Sequence, residues 1–160
     1  MNTKAKILIV DDEEVVRLSF LRILGGTSNV KAVSGWSQIS QLMQQEPFDV
    51  VLLDLRMPDM DGISVLKALK QRWPESEVII VTGYPTLESA KEAVALGAYD
   101  YLSKPVAPGQ VIDASNAAME HKRWALHNDT GLPRETGTTE VSPAVTAGLP
   151  SKPDFTRTSS

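Results

Sequence analysis

Cysteine is absent from the 160-residue chain, and histidine occurs at two positions, His121 and His127. Disulfide bonds and thiolate metal sites are therefore excluded, and any metal ion must be held by oxygen ligands or by one of these two imidazoles. Both histidines fall in the segment EHKRWALH, which predicts a solvated helix face rather than a metal site. The lack of cysteine also fits a cytoplasmic protein, and the cytoplasm is the location we expect.

Long hydrophobic runs are missing as well. The longest span only about five residues, whereas a helix that crosses a membrane needs roughly 20. The N-terminus, MNTKAKILIVDD, begins with basic residues but lacks the long apolar region and the cleavage site of a signal peptide. We therefore expect neither export nor contact with a membrane.

The chain also lacks an excess of positive charge. Its formal net charge is -4 and its pI is about 5.2, so we expect no direct binding of nucleic acid, which relies on a basic face. Hydrophobic residues make up 42% and charged residues 22% of the chain, as in an ordinary water-soluble protein. This length allows one domain with a proper core.

Short apolar runs and amphipathic segments alternate along the chain. Runs typical of buried strands lie at Lys6–Val10, Val30–Val33, Asp49–Leu53, Val78–Val81 and Asp100–Leu102. Helical spacing predicts helices over Glu13–Leu24, Ser37–Gln45, Gly62 to Pro74, Thr86–Gly97 and Pro108–His127, the last with Val111, Ile112 and Met119 facing inward. Because parallel strands need crossovers, the alternation predicts a doubly wound α/β fold: a five-stranded parallel sheet, order 2-1-3-4-5, with five helices on its two faces.

The composition changes after His127. The remaining sequence, NDTGLPRETGTTEVSPAVTAGLPSKPDFTRTSS, is roughly half Gly, Pro, Ser and Thr and has no helical or strand period. Such a segment buries too little apolar surface to offset its ordering entropy. We interpret residues 1–127 as one domain and residues 128–160 as a disordered tail or linker.

Polar side chains follow four of the five predicted strands. Asp11 and Asp12 come after the first strand, Asp54 after the third, Thr82 after the fourth, and Lys104 after the fifth. In the predicted strand order these four strand ends are neighbours, and ligands of such sheets bind at that edge. The sequence therefore predicts one pocket that gathers three acids, a hydroxyl and an amine.

These residue types suit phosphoryl transfer. Three crowded carboxylates repel one another unless a cation neutralises them, and an open, oxygen-rich site suits Mg2+. Lys104 offers a second positive charge, and Thr82 offers a hydroxyl that can donate to an anionic oxygen. Positioning and charge neutralisation of this kind do nearly all the work in phosphoryl transfer.

Four segments of the chain, ILIVDDEE, VVLLDLRMPDMDG, VIIVTGY and AYDYLSKP, resemble the signature segments of the receiver domain of bacterial two-component response regulators. The resemblance runs from Lys6 to about Leu126 and implies the flavodoxin-like fold of CheY-like receivers. It implies that Asp54 accepts a phosphoryl group from a sensor kinase histidine. Asp12 is then the direct Mg2+ ligand, Asp11 acts mostly through bound water, and the backbone carbonyl of Arg56 completes the protein ligands.

The same resemblance implies roles for the remaining pocket residues. Thr82 and Lys104 would hold phosphoryl oxygens, Tyr101 would rotate when the domain is activated, and the Lys104–Pro105 bond is a candidate cis peptide. Separately from the resemblance, the bulky residues Arg56 and Tyr84, two places beyond Asp54 and Thr82, are predicted to flank the phosphoryl group and slow its loss to water. Glu13 and Glu14 are interpreted as helix-start residues, and Asp59 and Asp61 as loop residues.

The implied function is signalling, with no catalysis beyond self-catalysed phosphotransfer and autodephosphorylation. The partners would be a sensor histidine kinase or phosphotransfer protein and a downstream protein. A second copy, bound through the fourth helix, fifth strand and fifth helix, is a further candidate partner. We expect a stand-alone regulator, because the tail resembles an ending. The alternatives are the N-terminal receiver of a larger DNA-binding or enzymatic regulator, a flavodoxin-like cofactor binder, which the DDEE run disfavours, and an aspartyl-phosphate phosphatase, which would need a substrate cap.

Overall fold

The central sheet has the predicted strands in the predicted order. The computed structural model describes residues 4–131, and the side chains of residues 4–127. Parallel strands lie in the order β2-β1-β3-β4-β5. Their bounds are β1 Lys6–Val10, β2 Asn29–Val33, β3 Val50–Leu53, β4 Glu77–Thr82 and β5 Asp100–Ser103.

Five helices connect the strands in the described part of the chain. They are α1 Glu14–Leu24, α2 Trp36–Leu42, α3 Gly62–Arg72, α4 Leu87–Ala95 and α5 Pro108–Gly131. Helix α2 ends before the predicted Gln45, because the N–H groups of Gln44 and Gln45 donate to carbonyls three residues back. Helix α5 continues beyond the predicted His127, because extending a formed helix avoids the cost of nucleation even through weak helix formers. The rest of the predicted tail, residues 132–160, lies outside the described residues.

Two apolar cores cover the two faces of the sheet, since successive side chains of a strand point to opposite faces. Helices α2, α3 and α4 pack on one face, and α1 and α5 pack on the other. The first core includes Leu8, Val10, Val51, Leu53, Val78 and Ile80 from the strands, and the second includes Ile7, Ile9, Val50, Leu52, Ile79 and Val81. This is the doubly wound α/β architecture that the sequence predicts.

The buried face of helix α5 differs from the predicted one. Val111 is buried as expected, but the prediction is wrong for Ile112, which is 38% exposed. Ala114 and Ala118 occupy the next inward positions instead, because a helix returns to the same face every three or four residues. Among residues 4–131, no helix combines the length and the apolar character needed to cross a bilayer.

Two side-chain contacts, a hydrogen bond of His121 and an ion pair of Lys122, tie the amino ends of the strands to α5. His121 Nδ1 lies 2.6 Å from Glu77 Oε2, and the His121 ring packs on Tyr99 at a centroid distance of 5.0 Å. Lys122 Nζ lies 2.6 Å from Asp49 Oδ1. The prediction of a solvated position is therefore wrong for His121, whose paired acid lies at the start of β4.

Candidate functional site

The three predicted acids meet at the carboxyl ends of β1 and β3. These strands are paired with Val10 opposite Leu53, so the next residue of each, Asp11 and Asp54, lies beside the other. Asp11 is 1% and Asp54 4% exposed, whereas Asp12 is not buried. Carboxylate oxygens of all three residues lie within 4.8 Å of one another.

Lys104 reaches this acidic cluster from the loop after β5. Its Nζ lies 2.9 Å from Asp11 Oδ2, 3.0 Å from Glu13 Oε1 and 3.4 Å from Asp54 Oδ2. The Lys104 N–H donates to the Thr82 carbonyl at 2.8 Å, which extends the pairing of β4 and β5 by one residue. The Lys104–Pro105 bond is cis, as the resemblance implies.

Glu13 is the site residue that sequence reasoning missed. It was assigned to the helix start, and it is indeed the N-cap of α1, but its side chain makes no capping hydrogen bond and pairs with Lys104 instead. Glutamate is not among the favoured N-cap residues, whose short side chains reach the backbone. That mismatch is the signal that could have indicated a different role.

The loop after Asp54 is held by a two-residue ribbon, in which Arg56–Met57 pairs with Met60–Asp61. The Arg56 N–H donates to Asp54 Oδ1 at 3.2 Å. Asp61 caps α3 by accepting hydrogen bonds from Ile63 N and Ser64 Oγ, which agrees with its interpretation as a loop residue. The ribbon thus aims the Asp54 carboxylate while leaving the Arg56 side chain exposed.

Thr82 lies at the carboxyl end of β4, the strand beside β3, and the two predicted flanking residues line the cleft with Asp54. The Thr82 side chain is fully buried, and its Oγ1 accepts the N–H of Tyr84 at 3.1 Å. The Arg56 guanidinium carbon lies 4.3 Å from the centroid of the exposed Tyr84 ring, a cation–π contact. Both side chains line the same open cleft as Asp12, Glu13, Asp54 and Lys104.

Burial and charge shift the ionisation of the site. Burial, reinforced by the neighbouring Asp11, raises the pKa of Asp54 to about 6, although Lys104 and the Arg56 N–H favour the carboxylate. Burial also raises the pKa of Asp11. Burial opposes the charge of Lys104, but hydrogen bonds to Asp11 and Glu13 outweigh it and raise the pKa of the ammonium group. Lys104 therefore stays charged at neutral pH.

The donor set fits a magnesium ion. Asp11, Asp12 and Asp54 offer hard carboxylate oxygens on an open cleft, where a cation could keep bound water. The chemistry of these donors therefore fits Mg2+.

Tyr101 lies on β5, beside this cleft. In the register of β4 and β5, it is opposite Ile80 and not opposite Thr82. Its ring packs against the core beneath α2, α3 and α4, and its hydroxyl lies at the start of α4. The structure therefore brings together Asp11, Asp12, Asp54, Thr82 and Lys104, with Arg56 and Tyr84 at the rim and Tyr101 at one side.

Comparison with known proteins agrees with this geometry. Residues 7–116 match the family model of the response regulator receiver domain. The chain belongs to this family. As a receiver domain it is a signalling domain of two-component systems. The flavodoxin-like cofactor binder and the capped phosphatase are set aside.

Similar sequences are found among bacterial regulators. The receiver domain is 34% identical over 118 residues to the response regulator protein PilR of Pseudomonas aeruginosa, and 34% identical over 121 residues to the DNA-binding transcriptional regulator NtrC of Proteus hauseri. These alignments cover 73% and 75% of the chain but 26% of each relative. The chain therefore spans about a quarter of the length of these curated relatives.

Solved structures share the fold. A CheY-like receiver domain protein from Methanospirillum hungatei has a TM-score of 0.74 and 27% identity, covering 77% of this chain and 99% of that one. NtrX from Brucella abortus has a TM-score of 0.77 and 25% identity, covering 91% of this chain and 33% of that one.

Proposed function

We propose that this receiver domain is phosphorylated on Asp54 by a phosphohistidine of a sensor histidine kinase or phosphotransfer protein. The observation that supports this most is the convergence of the Asp11, Asp12 and Asp54 carboxylates with the Lys104 ammonium in one open cleft. Asp54 is the buried acid, and the Arg56 N–H holds one of its oxygens. The other oxygen, Oδ2, faces Lys104.

In the proposed reaction, a carboxylate oxygen of Asp54 attacks the phosphorus of the phosphohistidine in line with the departing nitrogen. The new P–O bond forms as the P–N bond breaks, and the imidazole leaves with the electron pair. Lys104 then pairs with a phosphoryl oxygen, and the Thr82 hydroxyl donates to another. Water later attacks the same phosphorus and releases inorganic phosphate, which regenerates the carboxylate.

Asp11, Asp12 and Asp54, together with the Arg56 carbonyl, are the proposed holders of Mg2+. When bound, the ion neutralises the carboxylates and the charge that develops on the phosphoryl oxygens. Lys104 would supply the second positive charge, which its Nζ distances of 2.9 Å to Asp11 Oδ2 and 3.4 Å to Asp54 Oδ2 support.

Titration with beryllofluoride, a mimic of the phosphoryl group, at saturating Mg2+ tests the assignment of Asp54. We expect calorimetry to show binding to the wild type and none to Asp54→Asn, which keeps the shape of the side chain but not its charge. Asp59→Asn is the matched control, because Asp59 is an exposed loop acid, and it should bind as the wild type does. Equal binding by Asp54→Asn would overturn the assignment.

Signalling after phosphorylation is proposed to proceed through Thr82 and Tyr101 to the surface formed by α4, β5 and α5. A conformational equilibrium biased by the phosphoryl group would then change the affinity of that surface for a downstream protein or a second copy. The relatives named as transcriptional regulators favour transcription control as the output of the whole protein. The cytoplasm is the proposed compartment, which the absence of cysteine supports.

A further inference from the structure

The hydroxyl of Tyr101 takes part in a hydrogen-bond network at the start of α4. Thr86 is the N-cap of this helix, and its Oγ1 accepts the N–H of Ser89 at 3.0 Å. The Thr86 N–H donates to the Tyr101 hydroxyl oxygen at 3.2 Å, and that hydroxyl lies 2.5 Å from Ser89 Oγ. Ser89 Oγ in turn lies 3.2 Å from the Thr86 carbonyl oxygen and 2.9 Å from Thr86 Oγ1.

One assignment of protons satisfies this network. The phenolic oxygen accepts from Thr86 N–H and donates its own proton to Ser89 Oγ. Ser89 Oγ donates onward to the Thr86 carbonyl oxygen and accepts from the Thr86 hydroxyl. The two hydroxyls and the N-cap backbone then form a closed ring. Every donor in this ring has an acceptor within the same turn or on Tyr101.

The arrangement is a capping box with one part replaced. In the usual motif the N-cap side chain accepts the N–H of the third helical residue, and a Glu or Gln at that residue accepts the N–H of the N-cap. Here the third helical residue is Ser89, whose side chain is too short to bond back to that N–H. The phenol of Tyr101, from a strand 12 residues later in sequence than Ser89, accepts it instead.

We infer that Tyr101 is the missing half of the α4 capping box, and that Ser89 couples the rotamer of Tyr101 to the order of the first turn of α4. Any rotation that carries the Tyr101 hydroxyl away from Ser89 leaves the Thr86 N–H without this partner and opens the first turn. The consequence for signalling rests on the proposed function, whereas the hydrogen-bonded cap of α4 does not depend on it.

The network lies at the start of α4, so a movement of the Tyr101 phenol could alter the surface that this helix forms. Ala90 and Ala93 are the buried residues of α4, so small side chains alone hold this helix against the core. Leu87 at its first position is 60% exposed. With so little buried apolar area, the first turn of α4 depends on its cap more than a helix with large buried side chains does.

Residue-resolved hydrogen exchange tests the cap in the ligand-free protein. Loss of a capping hydrogen bond commonly shifts a local opening equilibrium by about fivefold. We expect Tyr101→Phe, which keeps the ring, and Ser89→Ala to speed exchange of the Thr86 and Ser89 amides by about that factor, with α3 unaffected. Ser37→Ala, an exposed serine on α2, is the matched control and should leave these rates unchanged.

A rescue variant separates this cap from a general loss of packing. Glutamate at position 89 would reach the Thr86 N–H and complete a conventional capping box. Ser89→Glu should therefore restore slow exchange in the Tyr101→Phe background. If Tyr101→Phe leaves Thr86 exchange unchanged, or if Ser89→Glu fails to restore it, the cap is overturned.

Beryllofluoride with Mg2+ tests the link to signalling. In the wild type it should speed exchange in the first turn of α4, and in Tyr101→Phe it should add little, since the cap is already lost. Equal effects in both proteins would overturn the coupling. If the wild type does not bind beryllofluoride at all, the proposed function fails, while the exchange results without ligand still decide the cap.

Discussion

At the residue scale, the acids of the site differ in their environment. Asp54 is buried, and its pKa is raised to about 6, so it is mostly ionised at neutral pH and able to act as a nucleophile. Asp12 is not buried and is open to water. Glu13 is exposed and holds Lys104 at 3.0 Å from the solvent side. The acidic residues that follow β1 therefore differ in environment because they differ in burial.

The contact between Arg56 and Tyr84 predicts a longer lifetime of the phosphoryl group. Their side chains stack at 4.3 Å over the cleft, where together they would obstruct an attacking water. A cation–π contact at an exposed site contributes about 0.5–1 kcal/mol, so Arg56→Ala or Tyr84→Ala should speed autodephosphorylation by about two- to fivefold. Phosphate release from the acyl phosphate measures this rate.

A double variant of these two residues provides the control for that experiment. If the stacked pair acts as one unit, the double variant should be no faster than the faster single variant. Unchanged decay in both single variants would contradict the proposed shielding.

Asp100 predicts a pH dependence of stability away from the site. It is 7% exposed, and burial raises its pKa despite a hydrogen bond from the Tyr101 N–H. An acid whose folded pKa is raised destabilises the fold as pH rises through that value, and it has no effect below the unfolded pKa of about 3.9. Asp100→Asn keeps the Oδ1 acceptor, so its Tm should exceed that of the wild type at pH 8. The difference should vanish near pH 4, and a difference independent of pH would contradict this cause.

At the element scale, close approach of two segments positions the loop that follows Asp54. A Cβ at Gly62 would overlap the backbone of Leu55 and Asp54 at the exit of β3, so only glycine permits α3 to begin there. Gly62→Ala should lower the free energy of unfolding by about 1–3 kcal/mol, as overpacking does, and weaken beryllofluoride binding. Urea denaturation and calorimetry measure the two effects.

Gly26→Ala is the matched control for the Gly62 variant. No atom of the described chain outside the immediate neighbours lies within 4 Å of a Cβ built at Gly26. We expect this variant to bind beryllofluoride like the wild type. Equal losses of binding in both variants would show that the Leu55 contact is not the cause.

The ion pair between Lys122 and Asp49 is expected to stabilise the packing of α5 on the sheet. Burial raises the pKa of Asp49, but hydrogen bonds from Lys122 and the Lys6 N–H outweigh it, so the pKa is lowered. Lys122→Met should therefore cost about 1–2 kcal/mol of unfolding free energy at pH 7. The stabilisation should be lost as pH falls below about 4, through the folded pKa of Asp49. Equal urea midpoints at pH 7 would contradict the prediction.

At the scale of the whole molecule, the two ends of the sheet hold different groups of interacting residues. The carboxyl ends gather the acids and Lys104, whereas the amino ends carry the pairs that hold α5. Helix α5 connects these regions, because it begins at Pro108, close to Lys104, and passes His121 and Lys122.

Exposed apolar side chains on that surface predict self-association after activation. Leu87 and Val94 on α4 are 60% and 38% exposed, and Ile112 on α5 is 38% exposed. Light scattering should show a dimer with beryllofluoride and Mg2+, and Val94→Asp should remain monomeric. Leu18→Asp on α1 is the control, because Leu18 is 54% exposed, lies outside the α4-β5-α5 surface and does not line the cleft, so this variant should still dimerise. A dimer of Val94→Asp would place the interface elsewhere.

Much of the fold and most of the site were predictable from local pattern. Apolar runs marked the strands, and the residue after each strand marked the site, because parallel strands end at a common edge. The predictions were wrong where contacts between residues distant in sequence decide whether a side chain is buried. Ile112 is exposed because Val111, Ala114 and Ala118 face the sheet, and His121 is half-buried because Glu77 and Tyr99 lie beneath it.

The sequence by itself determined the order of strands and helices, the two-faced core and the set of residues at the strand ends, since these follow from hydrophobic periodicity and chain connectivity. Only the tertiary structure decided which side chains touch. Glu13 meets Lys104 across 91 residues of sequence, Arg56 stacks on Tyr84, and Tyr101 caps α4. Such contacts depend on side-chain reach and rotamer at points where separate elements converge, and periodicity along the chain carries no record of those distances.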